Sequence, residues 1–310
     1  MPYIFKKIFI KTPIKAYLYL YKQMGVSLGK AQSLLDKGYL KKDGIVCKKN
    51  DIIFGECEFL VYENNPRGID IIYENEDFVV VDKESFVLTH PNGRNCEYSL
   101  CDDLWDRYGK ECSVAHRLDF ETSGVLCAGK NAQVSKKLKE IFAKGEVKKE
   151  YLAVVRGEYE DILKTFGKSF YVNEPLMLTN NKNDFKNKMI VDKNGKQSLT
   201  FFELLSPFDD GLTLVLAKPI TGRQHQIRAH LFHVKHQILG DTIYGFSKTQ
   251  TENYLDKIMS EEQRFELLGA KRLCLHASSI EFTYNDKVYK IKSKKDIISE
   301  FRQAIYSSNK

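Results

Sequence analysis

Short apolar runs separated by polar and glycine-rich breaks dominate the middle of the chain, and their length predicts buried strands. Ile71 to Tyr73, Phe78 to Val81, Tyr151 to Val155, Thr200 to Leu204 and Leu212 to Ala217 all fit that description. Lys83 falls just beyond the second run, and His90-Pro91 lies in the loop after it. Cys112 to Ala115 closes one further strand and Val125 to Ala128 opens another, leaving His116 to Gly124 as a polar loop between rigid elements. Residues 131–144 have helical spacing and Gly145 ends them. Leu28 to Lys37 reads as a shorter helix, with Ala31, Leu34 and Leu35 on one face, Ser27 as N-cap and Gly38 as stop. Tyr39-Leu40, Asp43-Gly44 and Ile45 to Cys47 read as a hairpin, and a strand from Glu56 to Tyr62 follows Gly55. Residues 160–198 and 246–268 look less regular, the first as solvent-facing loops with short strands. Strands outnumber helices in the body, so the pattern predicts an α+β fold on a mixed, largely antiparallel sheet.

With 310 residues, 43% hydrophobic and 29% charged, the chain can bury a sizeable core and is expected to hold more than one domain. No apolar run approaches the roughly 18 residues that span a bilayer, and lysines interrupt the start, so a cytoplasmic protein without a membrane segment is expected. Seven cysteines, Cys47, Cys57, Cys96, Cys101, Cys112, Cys127 and Cys274, contain no C-x-x-C pair, which points to reduced thiols rather than a disulfide framework or zinc knuckle. The net charge of +7 is unevenly spread. Residues 1–50 hold eleven lysines, no arginine and two acids, a net of +9, while the rest of the chain is close to neutral. A basic module on a near-neutral body is the footprint of a nucleic-acid handle.

Within the polar loop, Asp119 stands among Thr122, Ser123 and Gly124, residue types that suit a tight reversal. The string His116-Arg117-Leu118-Asp119-Phe120-Glu121-Thr122-Ser123-Gly124 resembles, at every fixed position, the H-R-L-D-x-x-T-S-G signature of the RluA-like pseudouridine synthases. Members of that family isomerise uridine to pseudouridine in RNA. The resemblance implies Asp119 as the catalytic carboxylate. The reaction breaks the N1–C1′ bond, turns the uracil and joins C5 to C1′, so it calls for no redox cofactor and no metal. A carboxylate in a water-excluding pocket would be protonated unless a cation lies beside it. Thr221 to Leu231 resembles the family's T-G-R-x-H-Q-I-R-x-H-L motif, which implies Arg228 as that cation. Thr221 or Gly222 is expected to open a helix here, with Gln224 and Arg228 on one face. Lys149 to Gly157 resembles the K-x-Y-x-A-x-V-x-G strand, which implies Tyr151 as the residue that stacks on the target base. With an unperturbed pKa of about 10 a tyrosine is a poor base near neutrality, so packing is its expected role.

His116, Arg117, Thr122, Arg223 and Gln226 in these motifs are the further substrate-binding candidates. Gly240 to Gly245 resembles the family's G-D-x-x-Y-G turn and Leu275 to Ala277 its L-H-A strand, both read as architectural. Asp82 to Phe86 departs from the usual D-K-P-x-G, having neither Pro nor Gly. Residues 16–63 resemble an S4 RNA-binding domain, with Lys30, Lys37 and Lys41 as candidate RNA contacts. The expected organisation is therefore 1–63 as an S4-like domain with a basic extension, 64–69 as linker, and 70–310 as catalytic domain. Because family members with this N-terminal domain mostly act on large-subunit ribosomal RNA, that is the first expected partner and transfer RNA the second. A monomer is the default. Two rivals stand beside this reading: a metal hydrolase using His225, His230, His233 and His236, and a non-catalytic RNA-binding protein.

Overall fold

The computed structural model describes residues 3–91 and 97–306, so Cys96 lies outside the described residues. A four-stranded sheet pairs Tyr3–Lys15 with Ile52–Tyr62 and adds Leu40–Lys42 and Ile45–Val46. Helices Ala16–Met24 and Leu28–Asp36 bury Ala16, Leu20, Ala31 and Leu35 with Ile10, Ile53, Cys57 and Phe59. The Ser27 side chain accepts the Lys30 N–H, as an N-cap should. Asp43 and Gly44 take φ of +50° and +77°, the two left-handed residues that this kind of hairpin turn requires.

Three details differ from the sequence reading. Tyr3–Lys15 forms a strand and Ala16–Met24 a helix, neither of which was expected, because Lys6, Lys7, Lys11 and Pro13 interrupt the apolar alternation. The last strand starts at Ile52, so Gly55 lies inside it. Residues 63–70 have no regular structure but are held: the Asn65 N–H donates to Asp102 at 3.0 Å, and the Arg67 and Gly68 N–H groups donate to Asp103 at 3.0 and 2.6 Å. Tyr62 donates to Asp102 as well.

The large sheet has ten strands. Its path runs Ser169–Asn173, Leu199–Asp209, Leu212–Pro219, Lys148–Arg156, Leu275–Tyr284, Ser123–Gly129, Phe78–Lys83, Ile71–Glu74, with Lys287–Lys292 and Ser113–Val114 paired off it. Leu275–Tyr284 runs parallel to Ser123–Gly129 and the other pairings between its strands are antiparallel, which gives the mixed, largely antiparallel sheet expected. Phe78–Lys83 and Ser123–Gly129 are buried at every position, which explains why they read as continuous apolar runs. Gly124 sits at the parallel pairing with φ +115°, and a Cβ there would lie 2.2 Å from the Ala277 carbonyl oxygen. Only glycine permits that approach.

Helix Ala132–Lys144 is capped by Asn131, which accepts the Val134 N–H, and ends at Gly145 in the left-handed region. Residues 160–198 hold the short strands expected among loops, together with a helix, and 246–268 is more regular than expected. Tyr159–Phe166 is a helix and Ser169–Asn173 an edge strand, while Leu176–Leu178 and Met189–Val191 form a hairpin. Lys248–Leu255 and Glu261–Leu268 are helices, each opened by a capping box, Ser247 with Gln250 and Ser260 with Gln263. The six described cysteines are buried free thiols. Among the described residues no helix is long and apolar enough to cross a membrane.

Candidate active site

Asp119 lies on the loop between Ser113–Val114 and Ser123–Gly129, where the Thr122 N–H donates to the Asp119 carbonyl at 3.1 Å to make the reversal. The loop is pinned from several sides. Thr89 donates its hydroxyl to the Leu118 carbonyl at 2.8 Å and accepts the Leu118 N–H. Lys83, 1% exposed at the end of its strand, donates Nζ to the carbonyls of Glu84, Val87 and Phe120 at 2.8, 2.8 and 3.3 Å. Three carbonyls match the three protons of an ammonium, although burial pulls the Lys83 pKa down to about 7. Ser85 donates to the Glu121 carbonyl at 2.7 Å. The buried Glu121 carboxylate accepts from Arg264, the Thr242 hydroxyl and the Leu273 N–H, which ties the loop to the second helix of the 248–268 segment.

Arg228 comes from helix Gln226–His233, 109 positions further along the chain. Its Nη1 donates to Asp119 Oδ2 at 2.8 Å. Its Nε and Nη2 donate to the two oxygens of Asp241, each at 2.7 Å, a bidentate pair. Asp241 is 1% exposed and also accepts the N–H groups of Ile243 and Tyr244. The guanidinium is thus aimed by one acid and spends its remaining edge on the other. Burial pushes the Asp119 carboxyl up, but His225, the charge and hydrogen bond of Arg228, and the charge of Lys83 together hold it below the usual carboxylate range. His225 Nε2 lies 3.8 Å from Asp119 Oδ2, yet burial brings that imidazole down to about 4. At neutral pH His225 is uncharged, and Arg228 is the permanent cation.

Tyr151 sits in mid-strand on Lys148–Arg156, half-buried, with Ala217 and Ala277 opposite it on the neighbouring strands. Burial and then the negative charge of Asp119 push its hydroxyl well above its ordinary value, so it is protonated at neutral pH and lies within electrostatic reach of the carboxylate. Asp119, Arg228 and Tyr151 therefore converge, with about a third of the Asp119 side chain open to solvent.

Several candidates are placed differently from expectation. Gln226 is 4% exposed, and its amide is engaged by Thr221, the Arg223 N–H, the Leu199 carbonyl and Thr200, so it builds the motif and cannot face RNA. Thr122 is 3% exposed for the same reason of loop packing. His116 stacks on Phe142 at 4.4 Å, accepts the Cys127 N–H, and is brought down to about 3 by burial, which makes it a neutral brace rather than a phosphate contact. The helix opens at His225, whose φ is +52°, so Gln224 precedes it as an exposed loop residue and shares no helical face with Arg228. Ser123 and Gly124 belong to the strand, and the Ser123 hydroxyl meets His276 Nδ1 at 2.8 Å instead of a backbone N–H. Arg117 is exposed, as is Arg223, whose Nε donates to the Gln197 carbonyl. Lys30 and Lys37 are exposed, while Lys41 lies over the Phe5 ring at 4.2 Å.

The four histidines do not share one helix, since His236 lies beyond its end, and both ring nitrogens of His230 are taken by Thr200 and the Glu174 carbonyl. Among the described residues no three His, Cys, Asp or Glu side chains group as metal ligands. The sequence reading missed Asp241 and Lys83 as site residues. Asp241 lay in a turn read as architecture, and Lys83 was legible only as a charge at the end of an apolar strand.

A family model described as RNA pseudouridylate synthase matches residues 77–233. An uncharacterized RNA pseudouridine synthase of Helicobacter pylori is 37% identical over 296 residues, covering 94% of each chain. The ribosomal large subunit pseudouridine synthase C of Buchnera aphidicola is 34% identical over 214 residues, 68% of this chain and 62% of that one. Among solved structures, human RNA pseudouridylate synthase domain containing 1 aligns with a TM-score of 0.57 at 24% identity, over 74% of this chain and 86% of that one, a likeness of fold.

Proposed function

This chain belongs to the RNA pseudouridylate synthase family and is an RNA pseudouridine synthase, an isomerase; from that premise we propose that Asp119 is its catalytic carboxylate and large-subunit ribosomal RNA its substrate. The single observation that carries the first part is the chain Asp241–Arg228–Asp119, because it keeps a largely buried acid ionised and aimed. The ionised Asp119 acts at C1′ of an extracted uridine, either by attack or by promoting elimination at the sugar. Arg228 fixes and charges it. Tyr151 packs against the base, and as a protonated phenol it holds the uracil while the N1–C1′ bond breaks and C5 turns to bond C1′; the C5 proton then leaves to solvent and N1 gains one, so composition is unchanged. Arg117 and Arg223, exposed at the two motifs, meet the RNA backbone.

Residues 1–63 serve as an S4-like handle, with Lys30 and Lys37 exposed to reach phosphates. The ribosomal assignment rests on that basic module and on the likeness to the Buchnera ribosomal large subunit pseudouridine synthase C. A cytoplasmic site of action accords with such a substrate.

Asp119→Asn tests the chemistry. Release of tritium from [5-3H]uridine-labelled RNA should be abolished while RNA affinity stays within about threefold, and retained release would remove Asp119 from its role. Mapping pseudouridines in cells lacking the protein tests the substrate: a missing site in large-subunit ribosomal RNA is expected, and a loss confined to transfer RNA would overturn it.

A further inference from the structure

Two aromatic side chains stand exposed beside the loop that carries Asp119, and nothing in the reaction described above uses them. Phe120, the residue after Asp119, is 41% exposed, and Phe86 is 43% exposed. Their rings meet edge to face with centroids 5.8 Å apart. Phe86 ends the Asp82–Phe86 segment, at the position where the related D-K-P-x-G pattern has glycine. Its φ is +63°, a left-handed backbone that a bulky side chain adopts only at a cost. Burial offsets only part of that cost, since 43% of the residue stays open to solvent.

The segment is nonetheless held firmly. Lys83 ties the Glu84, Val87 and Phe120 carbonyls together, and Ser85 bonds the Glu121 carbonyl. The Arg264 guanidinium lies against the Phe86 ring at 5.4 Å and is itself 3% exposed, bound to Glu121. An exposed aromatic pair, held in place and strained at Phe86, next to a catalytic carboxylate is arranged to meet a ligand with a π-face.

We propose that Phe86 and Phe120 form a stacking platform for the RNA base adjacent to the uridine being isomerised. This rests on the reading of the chain as an enzyme acting on RNA. Extracting a nucleotide unstacks its neighbour, and an aromatic surface beside the vacated position replaces the lost contact. Tyr151, from the sheet, is committed to the target base. The loop pair serves the flanking one, with exposed Arg117, two residues before Asp119, available to the connecting phosphate.

The test uses the full chain with large-subunit ribosomal RNA transcribed with [5-3H]uridine. In Phe86→Gly and in Phe120→Ala, KM should rise about tenfold with kcat within about twofold, and Phe120→Tyr should restore KM. Phe86→Gly removes the backbone penalty, so its Tm should not fall. An unchanged KM in the double variant, a loss confined to kcat, or failure of Phe120→Tyr to rescue would overturn the platform. If the unsubstituted enzyme releases no tritium from this RNA, the substrate assignment fails separately. The platform is then decided by the Kd for single-stranded oligouridylate, where equal values for enzyme and double variant overturn it and an approximately tenfold weakening supports it.

Discussion

In the four-stranded sheet Lys6 and Lys7 meet Glu63 and Glu56 with more than half of each lysine side chain in solvent. Around Asp119, by contrast, the Arg228, Arg264 and Lys83 side chains are nearly sealed from water. The first kind of charge is hydrated and screened within about 8 Å at physiological salt. The second is held by carboxylates and carbonyls and is screened little. The difference teaches that the molecule sets cations in two ways: surface lysines form hydrated, easily screened pairs, and buried ones hold the acids of one loop, Arg228 and Lys83 acting on Asp119 and Arg264 on Glu121.

The sharpest way to break this comparison is Arg228→Gln. It leaves the burial of Asp119 without its permanent cation, so tritium release should fall by at least about a hundredfold. The pH profile carries the diagnostic part. With Asp119 held below the usual carboxylate range, activity of the unsubstituted enzyme should stay level as pH falls through that range and drop only beneath it. The same sign applies to stability: a depressed carboxyl contributes above its unfolded pKa, and that contribution is lost as pH falls through the folded value. In Arg228→Gln the acid limb should move upward, and an unmoved limb would show that Arg228 is not what keeps Asp119 ionised.

Asp241→Ala should act next most strongly. Removing one member of a buried pair costs about 3–5 kcal/mol, which for a chain of this size lowers Tm by on the order of 10 °C. Activity should fall about tenfold even below that temperature, because Arg228 loses the partner that aims it. A melting point equal to that of the unsubstituted enzyme would show that the bidentate contact is not needed. The smallest effect is expected at the surface. Lys30→Gln with Lys37→Gln should weaken RNA binding only about threefold and flatten its salt dependence, read from Kd at several salt concentrations, with kcat unchanged. Equal salt slopes would remove these lysines from the RNA contact.

Local chemistry made much of the fold legible. Ser27, the Asp43-Gly44 pair and Gly145 each mark an element end by a hydrogen bond or a positive φ that neighbouring residues cannot override, while the capping role of Asn131, read as a helical residue, emerged only in the structure. The fully buried strands read as apolar runs for the same reason. Tyr3–Lys15 escaped because Lys6, Lys7, Lys11 and Pro13 interrupt its apolar alternation, and the helices of 248–268 escaped because they bury little. Thr251, Arg264 and Leu268 are their buried residues, so no apolar face repeats, although both S-x-x-Q capping boxes stood in the sequence. At the site, Asp119 and Arg228 were readable through motif resemblance. The Arg228–Asp241 pairing and the three-carbonyl seat of Lys83 exist only once the sheet brings distant segments together.

The acids at the start of helix Leu100–Tyr108 have one more effect. Asp102 and Asp103 grip Tyr62, Asn65, Arg67 and Gly68, so the connection between the lysine-rich sheet and the large one is clamped at its midpoint. A clamped connection works as a gauge rather than a leash: it fixes the spacing between the lysine-rich sheet and the body that carries the Asp119 loop.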